Sequence, residues 1–106
     1  MEREYIDEIC NYIKEIFSYS RPIIWSWGAE KYRNIAYNDM PALRFNVNGY
    51  LHKGDVIVAL NEGADAFEVF CLDDSDKVIK SKDDVYFDEL VGVIDKFVEN
   101  DGQYDR

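Results

Sequence analysis

The chain contains few of the side chains from which enzymes usually build a catalytic centre. It has one histidine, His52, and two cysteines, Cys10 and Cys71, which are far apart in the sequence and have no CxxC spacing. A catalytic serine or cysteine needs a base beside it, most often histidine, and a closed zinc site needs four ligands. The cysteines lie within amphipathic segments, which favours buried free thiols in a reducing cytoplasm. The residue types therefore favour a noncatalytic protein and predict no metal centre.

Acidic residues are plentiful, but their spacing singles out no site. The run Asp73-Asp74-Ser75-Asp76 lacks the alternating ligands, the central glycine and the terminal glutamate of a calcium-binding EF-hand loop. We interpret it as a turn, for which aspartate and serine are common residues. Neither a Walker A loop nor a GxGxxG fingerprint is present. We therefore expect no bound cofactor.

The most distinctive polar residues follow one predicted strand. Apolar and polar residues alternate from Ala42 to His52, which places the polar ones on one face of an extended chain. These residues would form a row about 27 Å long at ~3.3 Å per residue. Arginine, tyrosine and amides suit a recognition surface, although the same pattern is typical of a solvated sheet face. The members of the row are Arg44, Asn46, Asn48, Tyr50 and His52.

Two tryptophans precede this strand. Trp25 and Trp27 are two residues apart, so an extended segment over 23–28 places both on the same side. There they either flank the polar row as an exposed aromatic anchor or close one end of the core. Residues 29–33 suggest a short helical turn, and residues 37–41 suggest a loop.

Two amphipathic helices and several short strands must position these residues. Apolar spacings of three and four predict a helix over 2–17 and a second over 87–98, with Asp83 and Asp84 supplying the N-cap of the second helix. Period-two patterns separated by glycine- and aspartate-rich turns predict an antiparallel meander. The first turn is placed at Lys53-Gly54 in preference to Asn48-Gly49. The predicted strands are 42–52, 56–60, 67–72 and 77–80, and the later turns are 62–65 and 73–76.

These elements predict an α+β fold in the order α-β-β-β-β-α. Because each helix has one apolar stripe, the economical arrangement is a two-layer sandwich, with both helices on one face of a sheet of about four strands. Residues 1–99 form one predicted domain, and residues 100–106 form a frayed tail.

The net charge of −10 opposes binding to nucleic acids and to anionic membranes. No apolar run reaches the length of a membrane span or resembles a secretory signal, so we expect a soluble cytoplasmic protein. The favoured function is a module that binds another protein, or a second copy of itself, through the uncovered sheet face. The alternatives are a ligand-binding or enzymatic domain with a pocket lined by Trp25, Trp27 and Tyr50, and an acidic mimic of nucleic acid.

Overall fold

A computed structural model describes residues 1–99 and confirms the α+β sandwich, with five strands in place of about four. The five strands pair antiparallel in the order β1-β2-β3-β4-β5, each beside its neighbour in the chain. The predicted frayed tail lies outside the described residues. The elements are α1 (Arg3–Ser18), α2 (Arg21–Ser26), β1 (Glu30–Tyr37), β2 (Met40–Asn48), β3 (Lys53–Asn61), β4 (Ala66–Leu72), β5 (Val78–Val85) and α3 (Leu90–Val98).

The main core lies between the sheet and the two amphipathic helices, as the apolar spacing predicts. Ile13 of α1 and Ile94 of α3 are fully buried, and both belong to one cluster with Phe45, Val58 and Val69 of the central strands. The helices therefore cover one face of the sheet, and the sheet has a second, outer face that no helix covers in residues 1–99.

The segment around the tryptophans differs from its extended prediction because it contains a helix. Pro22 stands in the first turn of α2, where its missing amide hydrogen costs nothing. Successive helical residues are about 100° apart, so two positions along the chain point to nearly opposite sides. Trp25 is accordingly 76% exposed, whereas Trp27, at the end of α2, is fully buried.

The predicted helical turn over 29–33 is also wrong, since these residues begin β1. Gly28 has a φ of 63° and lets the chain turn out of α2. Lys31, with a φ of 59°, lies at an irregularity between Glu30 and Arg33 in the pairing of β1 with β2. The loop predicted over 37–41 shrinks to a tight turn at Asn38 and Asp39, because the residues on either side of it are paired.

The turn between β2 and β3 lies at neither of the two predicted places. Residues 49–52 form a four-residue loop, and Asn48 pairs with Lys53. The Gly49 amide donates to the His52 carbonyl at 3.0 Å, and the Leu51 amide donates to the carbonyl of Val98 at 2.7 Å. The end of α3 thus fixes this loop, a long-range contact that local turn signals do not contain.

The start of α3 is a further correction. Asp83 and Asp84 belong to β5 and do not cap the helix, which begins at Leu90. Val85 is fully buried and pairs with Phe67 of β4, so strand pairing continues past the two aspartates. The predicted turns over 62–65 and 73–76 are confirmed as the β3–β4 and β4–β5 connections.

Candidate functional site

The predicted polar row is divided between a strand and a loop. Arg44, Asn46 and Asn48 share the outer face of β2, but the strand ends there, and Tyr50 and His52 belong to the β2–β3 loop. A single row of five residues is therefore wrong. His52 is only 5% exposed, and its Nε2 atom lies 3.3 Å from the Asp55 carbonyl oxygen. Burial lowers the pKa of His52, which disfavours the charged imidazolium.

The polar part of the outer face is held by its own ion pairs. Asp55 accepts hydrogen bonds from Arg44 Nε at 2.6 Å, from the Arg33 guanidinium at 2.9 Å and from Asn46 at 3.0 Å. The other end of the Arg44 guanidinium donates to Asp76 at 2.6 Å, in the β4–β5 turn. Through Asp55, Arg33 and Arg44 join β1, β2 and β3, and Arg44 also holds the β4–β5 turn. The polar groups of Arg44 and Asn46 thus already have partners within the chain.

A second region stands out between α1 and the segment that leads from β5 into α3. A surface groove of about 400 Å³ lies there and continues, past Tyr12 and Phe87, into a second depression of about 760 Å³. We call the two together the interhelical groove. Its lining residues are Ile9, Tyr12, Glu15, Ile16, Tyr19, Ser20, Leu60, Ala64, Asp65, Phe67, Tyr86, Phe87, Asp88, Glu89 and Val91.

Large aromatic side chains line this groove and remain open to solvent. Tyr19 is 80% exposed, Phe87 is 62% exposed and Tyr86 is 52% exposed. Tyr12 stacks on Phe67 with ring centroids 6.1 Å apart, which fixes one wall. Exposed apolar surface grouped in this way is typical of interaction sites.

The charges of the interhelical groove all have one sign. Among residues 1–99, four of its lining residues are acidic and none is basic: the acids are Glu15, Asp65, Asp88 and Glu89. Glu89 accepts a hydrogen bond from the Tyr86 amide at 3.1 Å, so one of the acids also holds the bend before α3. The groove thus combines an aromatic surface with a negative rim.

Sequence reasoning missed this groove because Phe87 fitted the apolar stripe of the predicted C-terminal helix. With α3 beginning at Leu90, Phe87 lies ahead of the helix and outside the core. The dipeptide Tyr86-Phe87, followed at once by Asp88 and Glu89, was the available signal. Recognising it required the correct start of the helix.

The tryptophans do not flank the polar row as a pair. Trp27 closes the core, and its indole nitrogen donates to Asp95 of α3 at 2.9 Å. Trp25 instead contributes to a separate pocket of about 410 Å³ beside α1 and β1. Within residues 1–99, no three histidine, cysteine or acidic residues are grouped so that they would hold a metal ion.

No helix in residues 1–99 is both long and apolar enough to cross a membrane. Comparison of the chain with protein-family models, with curated proteins and with solved structures finds no match.

Proposed function

We propose that this chain is a noncatalytic interaction domain that binds a basic, amphipathic segment of a partner protein in the interhelical groove. The observation that carries the proposal is the combination of exposed aromatic walls with a rim that is wholly acidic. Aromatic side chains bury much apolar area on binding and are common anchors of protein interfaces. The negative rim selects lysine and arginine on the segment that docks.

The size of the groove sets what part of the partner enters it. Its two parts, of about 400 and 760 Å³, are in the range of small-ligand pockets, roughly 300–1,000 Å³. An α-helix with side chains is about 10–12 Å wide, so the groove accepts a few side chains from one face of a helix or strand. The remainder of the segment lies over the acidic rim.

Charge also separates the possible partners. The chain carries a net charge of −10, so nucleic acid and a second copy of the chain both bring like charge toward an acidic groove. A segment rich in lysine and arginine has the complementary charge. We therefore place a basic protein partner ahead of self-association.

Selection from a display library of random 15-residue peptides on the immobilised protein tests this proposal. We expect the enriched peptides to combine aromatic or aliphatic residues at helical spacing with lysine or arginine. Phe87→Ala should weaken their binding by about tenfold or more, as truncation of an interface anchor does. Asp88→Lys should weaken peptide binding more at low salt than at high salt, because salt screens the charge.

Ile79→Ala is the matched control, since Ile79 is 50% exposed on β5 and does not line the groove. It should leave the affinity unchanged. Enrichment of neutral or acidic peptides, or equal binding to Phe87→Ala and the natural protein, would contradict the proposal. If sedimentation shows a dimer, and Phe87→Ala dissociates it, the occupant of the groove is a second copy of the chain and not a basic partner protein.

A further inference from the structure

A second candidate site lies at the junction of α1, α2 and β1, on side chains that the interhelical groove does not use. Its residues form a pocket of about 410 Å³, which we call the aromatic–cation pocket. The lining residues are Lys14, Phe17, Ser18, Arg21, Ile24, Trp25 and Tyr32. None of them lines the interhelical groove, so the two sites can be tested separately.

The pocket has an apolar floor and aromatic walls. Phe17 and Ile24 are buried, at 5% and 9% exposure, and form the floor. Trp25, at 76% exposure, and Tyr32, at 38%, offer ring surface to the solvent. Tyr32 is held in place by Phe45, whose ring centroid is 5.3 Å away. A flat ring that enters the pocket therefore meets two aromatic side chains, of which Tyr32 is packed on Phe45.

Two cations border these rings. The Lys14 ammonium lies 5.6 Å from the centroid of the Tyr32 ring, within the range of a cation–π contact. Arg21 begins α2 at the mouth of the pocket. Neither Lys14 nor Arg21 forms an ion pair with another residue in the range 1–99. Both charges thus lack a carboxylate partner among these residues and can pair with an anionic ligand.

The charge of this pocket is opposite to that of the whole chain. Within the described part of the chain it is lined by two basic residues and by no acidic one, whereas the whole sequence has 22 acidic and 12 basic side chains. By contrast, Arg33 and Arg44 on the outer sheet face are each paired with Asp55. The aromatic–cation pocket is therefore a local anion-attracting surface beside exposed rings.

We propose that the aromatic–cation pocket binds a small planar aromatic anion, with its ring against Trp25 and Tyr32 and its anionic group between Lys14 and Arg21. Offset stacking and edge contacts between rings favour a flat aromatic ligand. The planar guanidinium of Arg21 matches a carboxylate or a phosphate through paired hydrogen bonds, and Lys14 adds a point charge. A pocket of this volume accepts a ligand of one or two rings.

An aryl carboxylate and a nucleoside monophosphate share this chemistry. The two probes are 4-hydroxyphenylacetate and adenosine 5′-monophosphate, added to the full chain at neutral pH. Adenosine, which has the rings without the charge, and inorganic phosphate, which has the charge without the rings, are the control ligands. We expect at least one of the two probes to bind in a saturable way and more tightly than both controls.

The two indole N–H signals in a nitrogen–proton NMR spectrum report binding with an internal reference. The exposed Trp25 signal should move as a probe saturates the pocket. The signal of Trp27, which is fully buried and bonded to Asp95, should remain in place. Whichever probe saturates at the lower concentration identifies the ligand class as a carboxylate or a phosphate.

The double variant Lys14→Ala with Arg21→Ala should lower the affinity for the preferred probe by about tenfold or more, because the anion loses both charge-assisted contacts. Lys53→Ala, a lysine outside the pocket, is the matched control and should bind as the natural protein does. Trp25→Leu, followed through the backbone amide signals of Ser18 and Ile24, should also weaken binding. Failure of both probes, equal binding of the controls, or unchanged affinity of the double variant would overturn the proposal.

Discussion

Tyr37 of β1 and Phe70 of β4 meet across the outer face of the sheet, with ring centroids 5.1 Å apart and ring planes at 62°. Both rings pack against a small apolar cluster that lies on the side away from the helices. The members of this outer cluster are Ala42, Ile57, Ala59 and Leu72, all of them 0–1% exposed. The sheet thus buries apolar residues on both faces, although the helices within residues 1–99 cover only one of them.

Removing one ring of this pair should destabilise the protein. We expect Phe70→Ala to lower the free energy of unfolding by about 2–3 kcal/mol, less than the ~3–5 kcal/mol typical of a fully buried phenylalanine, because Phe70 is only partly buried. Urea denaturation measures the change. Phe87→Ala makes the same substitution at a 62% exposed position and should lower the free energy of unfolding far less. Equal losses for the two variants would contradict a closed outer cluster.

The outer cluster shows which parts of the fold the sequence determines locally. The helix α1 and the turns over 62–65 and 73–76 are predicted from residues close together in the chain. The structure confirms these predictions. The pairing of Tyr37 with Phe70 depends on strands far apart in the chain. A period-two pattern shows that Arg44 and Asn46 share a face, but it does not show that Asp55 already pairs with them.

The candidate sites were predictable to a smaller degree than the fold. The sequence places Trp25, Trp27 and Tyr50 around one pocket, but of these only Trp25 lines the pocket that contains Lys14 and Arg21. Trp27 is buried in the core and Tyr50 lies in the β2–β3 loop. The assignment of Trp25 to the same side as Trp27 failed because a six-residue helix, shorter than the window in which helical periodicity is visible, replaced the expected extended chain. The interhelical groove depended on where α3 begins, and helix boundaries are set by tertiary contacts as well as by capping residues.

The carboxylate of Asp55 should make stability depend on pH in the acid range. Burial of Asp55 opposes its ionisation, but the hydrogen bond from Asn46 and the guanidinium groups of Arg44 and Arg33 outweigh that effect and lower its pKa. A folded-state pKa below the unfolded value of about 3.9 adds stability above that value. This contribution is lost as the pH falls through the lower folded-state pKa.

We therefore expect Asp55→Asn to be less stable than the natural protein at pH 7 and to lose less stability between about pH 5 and pH 2, where the Asp55 contribution disappears. Urea midpoints measured across this range test the expectation. Asp39→Asn is the control, since Asp39 lies in the exposed β1–β2 turn and makes no ion pair with any residue from 1 to 99. Parallel pH curves for Asp55→Asn and the natural protein would show that folding does not lower the pKa of Asp55.

The two cysteines should react only when the protein opens. Both are free and fully buried, as their positions in amphipathic segments predicted. Burial raises the pKa of the Cys10 thiol to about 11 and that of the Cys71 thiol to about 11, so little thiolate, the reactive form, exists at pH 8. The Cys10 sulfur also donates to the Ala42 carbonyl oxygen at 3.0 Å. Titration with a chromogenic disulfide should detect two thiols in urea and almost none in the folded protein, and rapid native reaction would contradict this packing.

Alanine at two glycines should change stability in opposite directions. A Cβ atom at Gly49 would overlap the Cγ1 atom and the carbonyl oxygen of Val98, where the β2–β3 loop meets the end of α3. We expect Gly49→Ala to destabilise the protein by about 1–3 kcal/mol, the usual cost of overpacking. Gly92 lies within α3 with no neighbouring atom inside 4 Å of an added Cβ, so Gly92→Ala should stabilise it by about 0.5–1 kcal/mol through helix propensity. Urea denaturation of both variants measures these changes. A Gly49→Ala protein as stable as the natural one would mean that α3 does not pack against this loop.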